Sequence, residues 1–478
     1  MDDFSKNMIG TQNREEALEE RFDVLKEYLA SKKFPELMRS MDELNPADTA
    51  DFLSELSSEV RPAVFRMLTK EVAAEVFAYL DKDIQEETIV LLTDLEVSSI
   101  LEELYSDDAA DMLEEMPANV VKRILKNATP ETRAEINRLL SYPEDSAGSL
   151  MTGEYVSVRK EMTCREAIDS VRRTGVDKET VYVLYVTDRS RFLSGTVSFK
   201  DIIFADPDAK IEDVMETDIV SAVTTDSQED VVAAIEKYSL LALPITDKEG
   251  RMVGIVTVDD AMSTLMEEAA EDIEIMGAIT PSDKPYMRMS IWEIWKKRIP
   301  WLLLLMLSAT FTSMIIMHYE NAIGTYAILT AFFPMLMGTG GNAGSQASVT
   351  VIRGISLGEL DWRDVPRIIW KEFRVSLLCG ITLAAVCFVK TMLIDFGLQL
   401  QTVTDSGDVQ NNLIVAAVVS LTVLAAILIA KIVGSILPMA AKKIGLDPAV
   451  MASPFISTIV DTITLMVYFS IATLFLPI

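Results

Sequence analysis

The sequence predicts a multidomain protein with an all-α superhelical N-terminal domain, an α/β pair, an acidic connecting helix and a five-helix α transmembrane domain. Helical periodicity without strand-like alternation fills residues 14–140, strands and helices alternate over 149–276, and apolar runs of membrane-spanning length follow. Charge changes at the same place, because 62 of the 73 acidic side chains and 31 of the 43 basic ones precede residue 291. The excess negative charge therefore belongs to the part before the apolar runs.

Composition narrows the classes of function. An acidic domain attracts cations and repels nucleic acid, so we expect no nucleic-acid partner, although the acids can also serve solubility alone. Cys164, Cys379 and Cys387 have no metal-ligand spacing, and with the single histidine, His318, they offer no zinc or copper set. The cysteines indicate a reducing compartment. The N-terminus lacks the pattern of a signal peptide, so we expect the later apolar segments to direct membrane insertion.

The first predicted domain, residues 1–145, contains a weak internal repeat. The segment 44–56 is echoed at 68–80, 92–104 and 104–116. Each unit is too short to bury its apolar face except against its neighbours, which predicts a stack of short helices. We expect the acids on the outer faces to be solvated or to face a partner; they include Asp81, Asp83, Glu86, Glu87, Asp94, Glu96, Asp107, Asp108, Asp111, Glu114 and Glu115.

Two α/β copies follow, predicted at 146–210 and 211–262. Each contains a pair of strand-like segments around a polar turn, and the second copy closes with LPITDKEGRMVGIVTVDD at 243–260. This run resembles the closing half of a cystathionine-β-synthase (CBS) domain. The resemblance implies a regulatory CBS pair, commonly dimeric and often able to bind an adenine nucleotide such as ATP.

Each copy contains a hydroxyl-x-x-Asp pattern, as Ser198 with Asp201 and Thr257 with Asp260. In CBS domains such residues hold ribose and phosphate, so the resemblance makes these four the candidate nucleotide-binding residues. A helix N-cap made by the Asp is the alternative explanation.

The connecting segment, predicted at 263–290, is strongly acidic. Like charges four residues apart destabilise a helix, so this segment requires counter-charge. We favour an element that responds to cations and leads directly into the membrane domain; the alternative is a solvated connector. Its clustered acids are Glu267, Glu268, Glu271, Asp272 and Glu274.

The transmembrane domain is predicted at 291–478, and most of its apolar segments reach the ~20 residues that cross a bilayer. Basic residues concentrate at Lys296 to Arg298, between 353 and 374, and at 442–443. The positive-inside rule therefore places the N-terminal half in the cytoplasm and the C-terminus outside. The five predicted spans are 299–317, 322–352, 375–394, 413–437 and 450–476.

A glycine-rich run at 338–346 interrupts the second predicted span. Four glycines in seven residues weaken a lipid-facing helix, which favours either a pore wall or a close helix contact through small residues. Asn342 and Gln346 share one helical face and favour a polar lining. The predicted pore-lining residues are Gly338, Gly341, Asn342, Gly344, Ser345, Gln346, Pro454 and Thr458.

Asp461 is the single charge in the fifth predicted span, ~17 Å along the helix. A carboxylate at that depth is unfavourable unless it is hydrated or paired. Pro454 removes a helical hydrogen bond and is expected to free carbonyls near Met451 as ligands. A hard cation bound by Asp461, Ser453 and Ser457 explains the pattern; the alternative is a protonated Asp461 that hydrogen-bonds a neighbouring helix.

The run GTGGNAGSQ at 338–346 and the pattern DPAV…SPF…Asp461 from 447 onward resemble MgtE-type magnesium channels and transporters. The resemblance covers nearly the whole chain and implies a homodimer with one pore, lined by the second and fifth membrane helices. It also implies that Asp461 is the central pore carboxylate for Mg²⁺ and that the glycine run acts through shape. Ser453 and Ser457 depart from the residues of several relatives, which leaves selectivity over Mn²⁺, Co²⁺ and Ni²⁺ open.

The resemblance further implies a gate. In this family cytoplasmic Mg²⁺ bridges acids of the N-terminal domain, the CBS pair and the connecting "plug" helix, and thereby closes the pore. The matching acids are Asp259, Glu267, Glu268, Asp272, Asp226, Asp247 and Asp94.

We therefore predict a magnesium uptake channel of the inner (cytoplasmic) membrane, closed by cytoplasmic Mg²⁺. One alternative is a transporter or proton-coupled exchanger of Co²⁺, Mn²⁺ or Ni²⁺ with Asp461 as the titrating group. Another is a membrane-anchored CBS nucleotide sensor, although an anchor needs neither Asp461 nor the glycine run. An enzyme is not expected, because we find no second membrane carboxylate to form an acid–base pair. Lys431 is the one basic side chain near the depth of Asp461.

Overall fold

The computed structural model describes residues 11–114, 116–176, 178–282, 284–320, 326–394 and 409–476. The chain divides into two compact units, Met1–Met266 and Glu267–Ile478. Helices alone form the first part of the first unit, helices and short strands form its remainder, and long apolar helices dominate the second unit. This order agrees with the predicted helical domain, α/β pair and C-terminal helical region.

The first unit begins with helices that stack around one apolar core. The hydroxyls of Thr69, Thr93 and Thr129 each cap a helix by accepting a hydrogen bond from the backbone N–H three residues later. Phe52 and Phe77 are fully buried in the shared core, as the repeat predicts. The helices are α1 (Thr11–Ala30), α2 (Phe34–Met41), α3 (Pro46–Glu55), α4 (Arg61–Phe65), α5 (Lys70–Ala78), α6 (Lys82–Leu91), α7 (Asp94–Glu103), α8 (Ser106–Glu114), α9 (Ala118–Asn127) and α10 (Pro130–Leu139).

The α/β pair consists of two copies with the same three-stranded topology. In each sheet the first strand pairs parallel to the second, the second pairs antiparallel to the third, and the register shifts near the end of the second strand. The elements of the first copy are α11 (Ala147–Leu150), β1 (Ser157–Val158), α12 (Cys164–Thr174), β2 (Val183–Thr187), β3 (Leu193–Ser198), α13 (Phe199–Phe204) and α14 (Ile211–Val214). Those of the second are β4 (Ala222–Val223), α15 (Gln228–Tyr238), β5 (Ala242–Thr246) and β6 (Met252–Thr257).

The two copies exchange short segments. Thr152, which precedes the first sheet, exchanges both backbone hydrogen bonds with Ile255 of β6, and Glu216 does the same with Thr196 of β3. Gly254 permits this approach, because a Cβ there would lie 2.6 Å from the Thr152 carbonyl oxygen. The pair is therefore linked across its centre by main-chain bonds.

The acidic helix, α16 (Val258–Met276), continues directly from β6. It therefore begins before the connecting segment predicted at 263–290, and the second α/β copy has no separate final helix. After α16 the Glu274 carboxylate accepts a hydrogen bond of 2.8 Å from the Ser282 backbone N–H. A capping box formed by Ser290 and Glu293 then begins the next helix.

Five helices of the second unit follow in order. They are α17 (Ile291–His318), α18 (Phe333–Ser356), α19 (Val365–Lys390), α20 (Val409–Lys443) and α21 (Ser453–Phe475). Four segments of the described chain are long and apolar enough to cross a membrane, namely Ile291–His318, Trp362–Ile394, Leu413–Lys443 and Pro448–Phe475.

The second predicted span differs from the other four. It forms α18, whose length of 24 residues exceeds the ~20 residues needed to cross a bilayer. It is not among the four apolar segments because its glycines and polar residues lower its mean hydropathy. Residues 322–325, where this span was predicted to begin, lie outside the described residues. The predicted number of five spans therefore stays a prediction.

Helix α18 lies at the centre of the second unit, packed against α20 and α21. Leu336, Ile427 and Ile456, one from each of these helices, are fully buried in a common core. The Tyr468 hydroxyl of α21 donates a hydrogen bond of 3.1 Å to the carbonyl of Leu329, in the turn that leads into α18. This packing positions the glycine run beside the helix that carries Asp461.

Candidate functional site

The glycine run of α18 forms the contact with α21. A Cβ at Gly340 would lie 2.9 Å from the Thr464 hydroxyl oxygen, and one at Gly344 would lie 2.8 Å from a methyl carbon of Ile456. At Gly341 a Cβ would meet the Ser457 hydroxyl oxygen at 3.2 Å. Larger side chains would force the helices apart, so these glycines let α18 approach the helix of Asp461, as predicted from the sequence.

The opposite face of the glycine run has a different character. A Cβ at Gly338 would meet nothing within 4 Å, and Asn342 and Gln346 are exposed on the same face. Residues four apart align on a helix, so this face presents the side-chain amides of Asn342 and Gln346 and the uncovered backbone of Gly338 to the outside of the described chain. A pore-lining role for these residues stays a prediction.

Asp461 lies half-buried on α21. Among the described residues it has no hydrogen-bond or ion-pair partner, and the alternative of a bond to a neighbouring helix stays a prediction. The nearby Thr458 hydroxyl donates to the carbonyl of Pro454 at 3.0 Å, and the Thr462 hydroxyl lies 3.1 Å from that of Thr312 on α17. The carboxylate is therefore left for water or an ion.

The turn before α21 is tied to α18 by one hydrogen bond. The hydroxyl of Ser348, a fully buried side chain, donates to the Met451 carbonyl at 2.7 Å. The Met451 carbonyl, one of those that Pro454 was predicted to free, therefore already accepts a hydrogen bond from α18, and a ligand role for it stays a prediction. Ser457 keeps its predicted position on the same helix as Asp461, whereas the side chain of Ser453 lies outside the described residues.

A buried charge pair between Glu372 on α19 and Lys431 on α20 was missed by the sequence analysis. The Oε2 of Glu372 lies 3.8 Å from the Nζ of Lys431, and the two side chains are 14% and 9% exposed. Glu372 precedes the predicted third span, 375–394, so the expectation of no second membrane carboxylate stays a prediction. Glu372 lies between Lys371 and Arg374, which made the segment resemble a polar loop.

Acidic side chains of the helical domain and the α/β pair meet within the first unit. Burial, reinforced by the charges of Asp260 and Asp259, raises the pKa of Asp108 to about 6. Burial also raises the pKa of Glu179 to about 8. These groups repel one another while ionised, so a proton or a cation is favoured among them.

Asp107 is the most buried member of this acidic cluster, at 9% exposure. Its Oδ1 has no hydrogen-bond partner among the described residues, and burial together with Asp108 and Asp260 raises its pKa well above the usual range. Of the two expectations for the acids of α8, solvation or a partner surface, burial excludes solvation for Asp107; Glu115 lies outside the described residues. No three acidic, Cys or His side chains in the described ranges stand close enough to ligate a metal.

A further group of carboxylates lies in the second unit. Burial, then the charges of Asp447 and Glu268, raise the pKa of Asp272 on α16. Asp447 caps the turn at Pro448–Met451 by accepting a hydrogen bond of 2.7 Å from a backbone N–H. The acidic helix therefore faces the turn that leads into the helix of Asp461. Asp447 was not among the predicted metal-binding residues, although it precedes a proline that indicates such a cap.

Comparison with known proteins assigns the family. Family models match residues 44–145 (MgtE intracellular N domain), 147–208 and 211–267 (CBS domain), and 333–471 (MgtE, divalent cation transporter). A magnesium transporter MgtE of Thermus thermophilus is 36% identical over 464 residues, which are 96% of this chain and 99% of that protein. The chain belongs to the MgtE family of magnesium transporters.

Other known proteins are also similar to this chain. The magnesium transporter MgtE of Bacillus subtilis is 30% identical over 91% of this chain and 93% of its own length. A crystal structure of the soluble part of a magnesium transporter is 30% identical and covers 53% of this chain and 100% of its own, with a TM-score of 0.50. The cytosolic domain of the Mg²⁺ channel MgtE, solved in complex with ATP, is 39% identical over 50% of this chain and 98% of its own, with a TM-score of 0.49.

Three acids that the MgtE resemblance suggested as regulatory ligands have local contacts. Asp94 forms an ion pair with Arg123 at 3.3 Å. Asp226 accepts a hydrogen bond from the Val223 N–H, and Asp247 accepts two from backbone N–H groups of its own turn. Asp259 contributes to the acidic cluster of the first unit. A ligand role for each stays a prediction, as it does for the exposed Glu267.

The predicted nucleotide residues of this MgtE chain form matching pairs in the two CBS copies. The Ser198 hydroxyl donates to the Asp201 carboxylate at 2.6 Å and accepts from the Asp201 N–H, which caps α13. The Thr257 hydroxyl donates to the Asp260 carboxylate in the same way. In the first copy the cap is made by the serine rather than by the aspartate proposed as the alternative.

Proposed function

We propose that this MgtE-family protein is a Mg²⁺ uptake channel of the cytoplasmic membrane and that Asp461 is its pore carboxylate. The observation that carries the proposal is that Asp461 lies without a described partner on a membrane helix, beside the glycine run of α18. A carboxylate in this position is stabilised by a hydrated cation. The proposal concerns transport, in agreement with the names of the relatives, rather than catalysis.

The chemistry of Mg²⁺ suits such a site. Mg²⁺ releases its waters reluctantly and binds proteins through one or two carboxylates and retained water. We propose a homodimer in which Asp461 of each subunit faces one pore, so that two carboxylates hold one hydrated ion. Few direct ligands also keep binding weak enough for the ion to leave. Selectivity then depends on the retained hydration shell.

We also propose that cytoplasmic Mg²⁺ closes the channel. Two groups of carboxylates support the idea: the acidic cluster around Asp107 and Asp108 in the first unit, and Asp272 with Asp447 and Glu268 in the second. Mg²⁺ neutralises their repulsion, and each group then favours its compact arrangement. Because the ion stabilises that arrangement over the repelled one, its concentration shifts the population toward the closed state.

Three further assignments belong to this proposal. Helix α18 is also a membrane helix, the second of five in chain order, and it needs less apolar surface because it faces other helices and the pore. The N-terminal half is cytoplasmic and the C-terminus is outside, from the distribution of basic residues. ATP binds at the CBS pair, where Ser198 with Asp201 and Thr257 with Asp260 supply hydroxyl and carboxylate groups.

A transporter of other divalent cations is the second candidate, because the matched family model is described as a divalent cation transporter and Ser457 places a hydroxyl near Asp461. One flux assay separates the two. Proteoliposomes are offered Mg²⁺, Mn²⁺, Co²⁺ or Ni²⁺ at two internal Mg²⁺ concentrations, with and without a pH gradient. The channel proposal requires Mg²⁺ flux that internal Mg²⁺ suppresses and a pH gradient does not drive. Faster flux of another ion, or flux driven by the gradient, would support the second candidate.

A further inference from the structure

Glu372 of α19 and Lys431 of α20 form a buried charge pair between two helices of the second unit. Glu372 lies seven residues, or ~10 Å, after the start of α19 at Val365, and Lys431 lies twelve residues, or ~18 Å, before the end of α20. Their 3.8 Å separation exceeds hydrogen-bond length, and Glu372 Oε2 has no hydrogen-bond partner in the described chain. The contact is therefore purely ionic.

The charges of this pair depend on each other. A buried carboxylate and a buried ammonium are each unfavourable in hydrocarbon, and their attraction offsets much of that cost only while both are present. Glu372 lies beside Lys371 and Arg374, just before the apolar run of α19, whereas Asp461 lies inside the apolar run of α21. The first has an ammonium beside it and the second has no described partner. The same chemical group is thus neutralised at one site and open at the other.

Lys431 also lies on the turn of α20 that supports the glycine run. Its neighbour Ala430 presents its carbonyl oxygen 3.2 Å from the position of a Cβ on Gly344. Gly434, three residues later, packs so closely on Gly344 that a Cβ would overlap the Gly344 carbonyl. A change of charge at Lys431 therefore acts on the helix that holds α18 against α21.

We propose that Lys431 is a built-in counter-ion, whose ammonium occupies the Glu372 carboxylate and keeps divalent cations from binding there. Without Lys431, the largely buried Glu372 carboxylate would attract a divalent ion, as the Asp461 carboxylate is proposed to do. With Lys431 in place, Asp461 remains the open membrane carboxylate. Lys431 is thus a residue that determines where the ion binds rather than a ligand. The inference rests on the proposed function only for the role of Asp461.

Mn²⁺ binding to the full-length protein in detergent tests the proposal, with unbound Mn²⁺ measured by electron paramagnetic resonance. The variants are Lys431→Met, Lys431→Met with Glu372→Gln, and the conservative Lys431→Arg as the control. We expect Lys431→Met to bind about one additional Mn²⁺ per subunit. The double variant and Lys431→Arg should bind as the parent protein does. Mg²⁺ flux should fall about tenfold in Lys431→Met and recover in the double variant.

Two results would overturn the proposal: equal Mn²⁺ binding by Lys431→Met and the parent, or additional Mn²⁺ that persists after Glu372→Gln. If Lys431→Met does not assemble, the exchanged pair Glu372→Lys with Lys431→Glu replaces it, and any additional Mn²⁺ there counts against the proposal. The binding measurement does not require transport. Loss of the proposed channel function would therefore leave this test intact.

Discussion

A Cβ on Gly344 of α18 would lie 2.8 Å from a methyl carbon of Ile456 on α21, so the two helices meet where one residue has no side chain. Gly344→Ala should destabilise the protein by about 1–3 kcal/mol through overpacking and should reduce Mg²⁺ flux. Thermal unfolding in detergent and flux in proteoliposomes check this. Gly338→Ala is the matched control, because nothing lies within 4 Å of its added methyl group. Equal damage from both variants would contradict the close-approach explanation.

Asp461→Asn should lower Mg²⁺ flux by at least about tenfold while assembly is retained, because the amide removes the charge that holds the hydrated ion. Flux with a Mg²⁺-sensitive dye and size-exclusion chromatography measure the two properties. Glu359→Gln, which changes an exposed carboxylate of the same unit, should leave flux unchanged. Normal flux in Asp461→Asn would remove the pore assignment.

Ser348→Ala should destabilise the turn before α21, because it leaves the Met451 carbonyl without its hydrogen bond. A buried polar group without a partner costs about 1–3 kcal/mol. Ser470→Ala is the control, since the exposed Ser470 bonds only within its own helix and should shift stability by less than about 0.5 kcal/mol. Thermal unfolding of both variants measures the difference. Equal shifts would show that the Ser348 hydrogen bond stabilises the protein no more than the Ser470 hydrogen bond does.

The acidic cluster should make the first unit less stable as pH rises. Burial holds the pKa values of Asp108 and Glu179 at about 6 and 8, above the ordinary 3.8 of Asp and 4.5 of Glu. Between those limits the folded state holds protons that the unfolded state has released, so stability falls as pH rises from about 4 to about 8. Without divalent ions, the unfolding temperature of the soluble unit in the full-length protein should be higher at about pH 5.5 than at about pH 8.

Mg²⁺ should raise that unfolding temperature more at the higher pH, where the carboxylates are ionised. Asp108→Asn with Glu179→Gln should flatten both the pH and the Mg²⁺ dependence. Glu16→Gln, an exposed change in the same unit, should keep both. A pH dependence that survives in the double variant would assign the effect to other groups.

Mg²⁺ should also protect the segment between Leu265 and Ser282 from protease. Neutralising Asp272 and Asp447 by bound Mg²⁺ removes the repulsion that raises the pKa of Asp272. Limited proteolysis with and without Mg²⁺, followed by mass spectrometry, locates the cuts. Asp447→Asn should lessen the Mg²⁺ effect and Glu359→Gln should not. Cleavage that is equal in both conditions would argue against the gate, while leaving the pore assignment in place.

The sequence by itself determined the order of the domains, the apolar segments and the unusual features within them. Periodicity, composition and turn residues are local properties, so the helical stack, the two α/β copies and the four apolar spans were predictable. The position of Asp461 along its helix and the glycine run at 338–346 were also evident from the sequence, since distance along a helix follows from residue count.

Only the tertiary structure decided which distant residues meet. The glycine run has a packed face at Gly344 and an open face at Gly338. The Met451 carbonyl accepts a hydrogen bond from Ser348, which lies 103 residues earlier in the chain. The tertiary structure also paired Glu372 of α19 with Lys431 of α20. These outcomes depend on how helices pack and on which faces they share. A sequence pattern specifies a face of a helix, but the neighbour of that face is set by the packing of the whole unit.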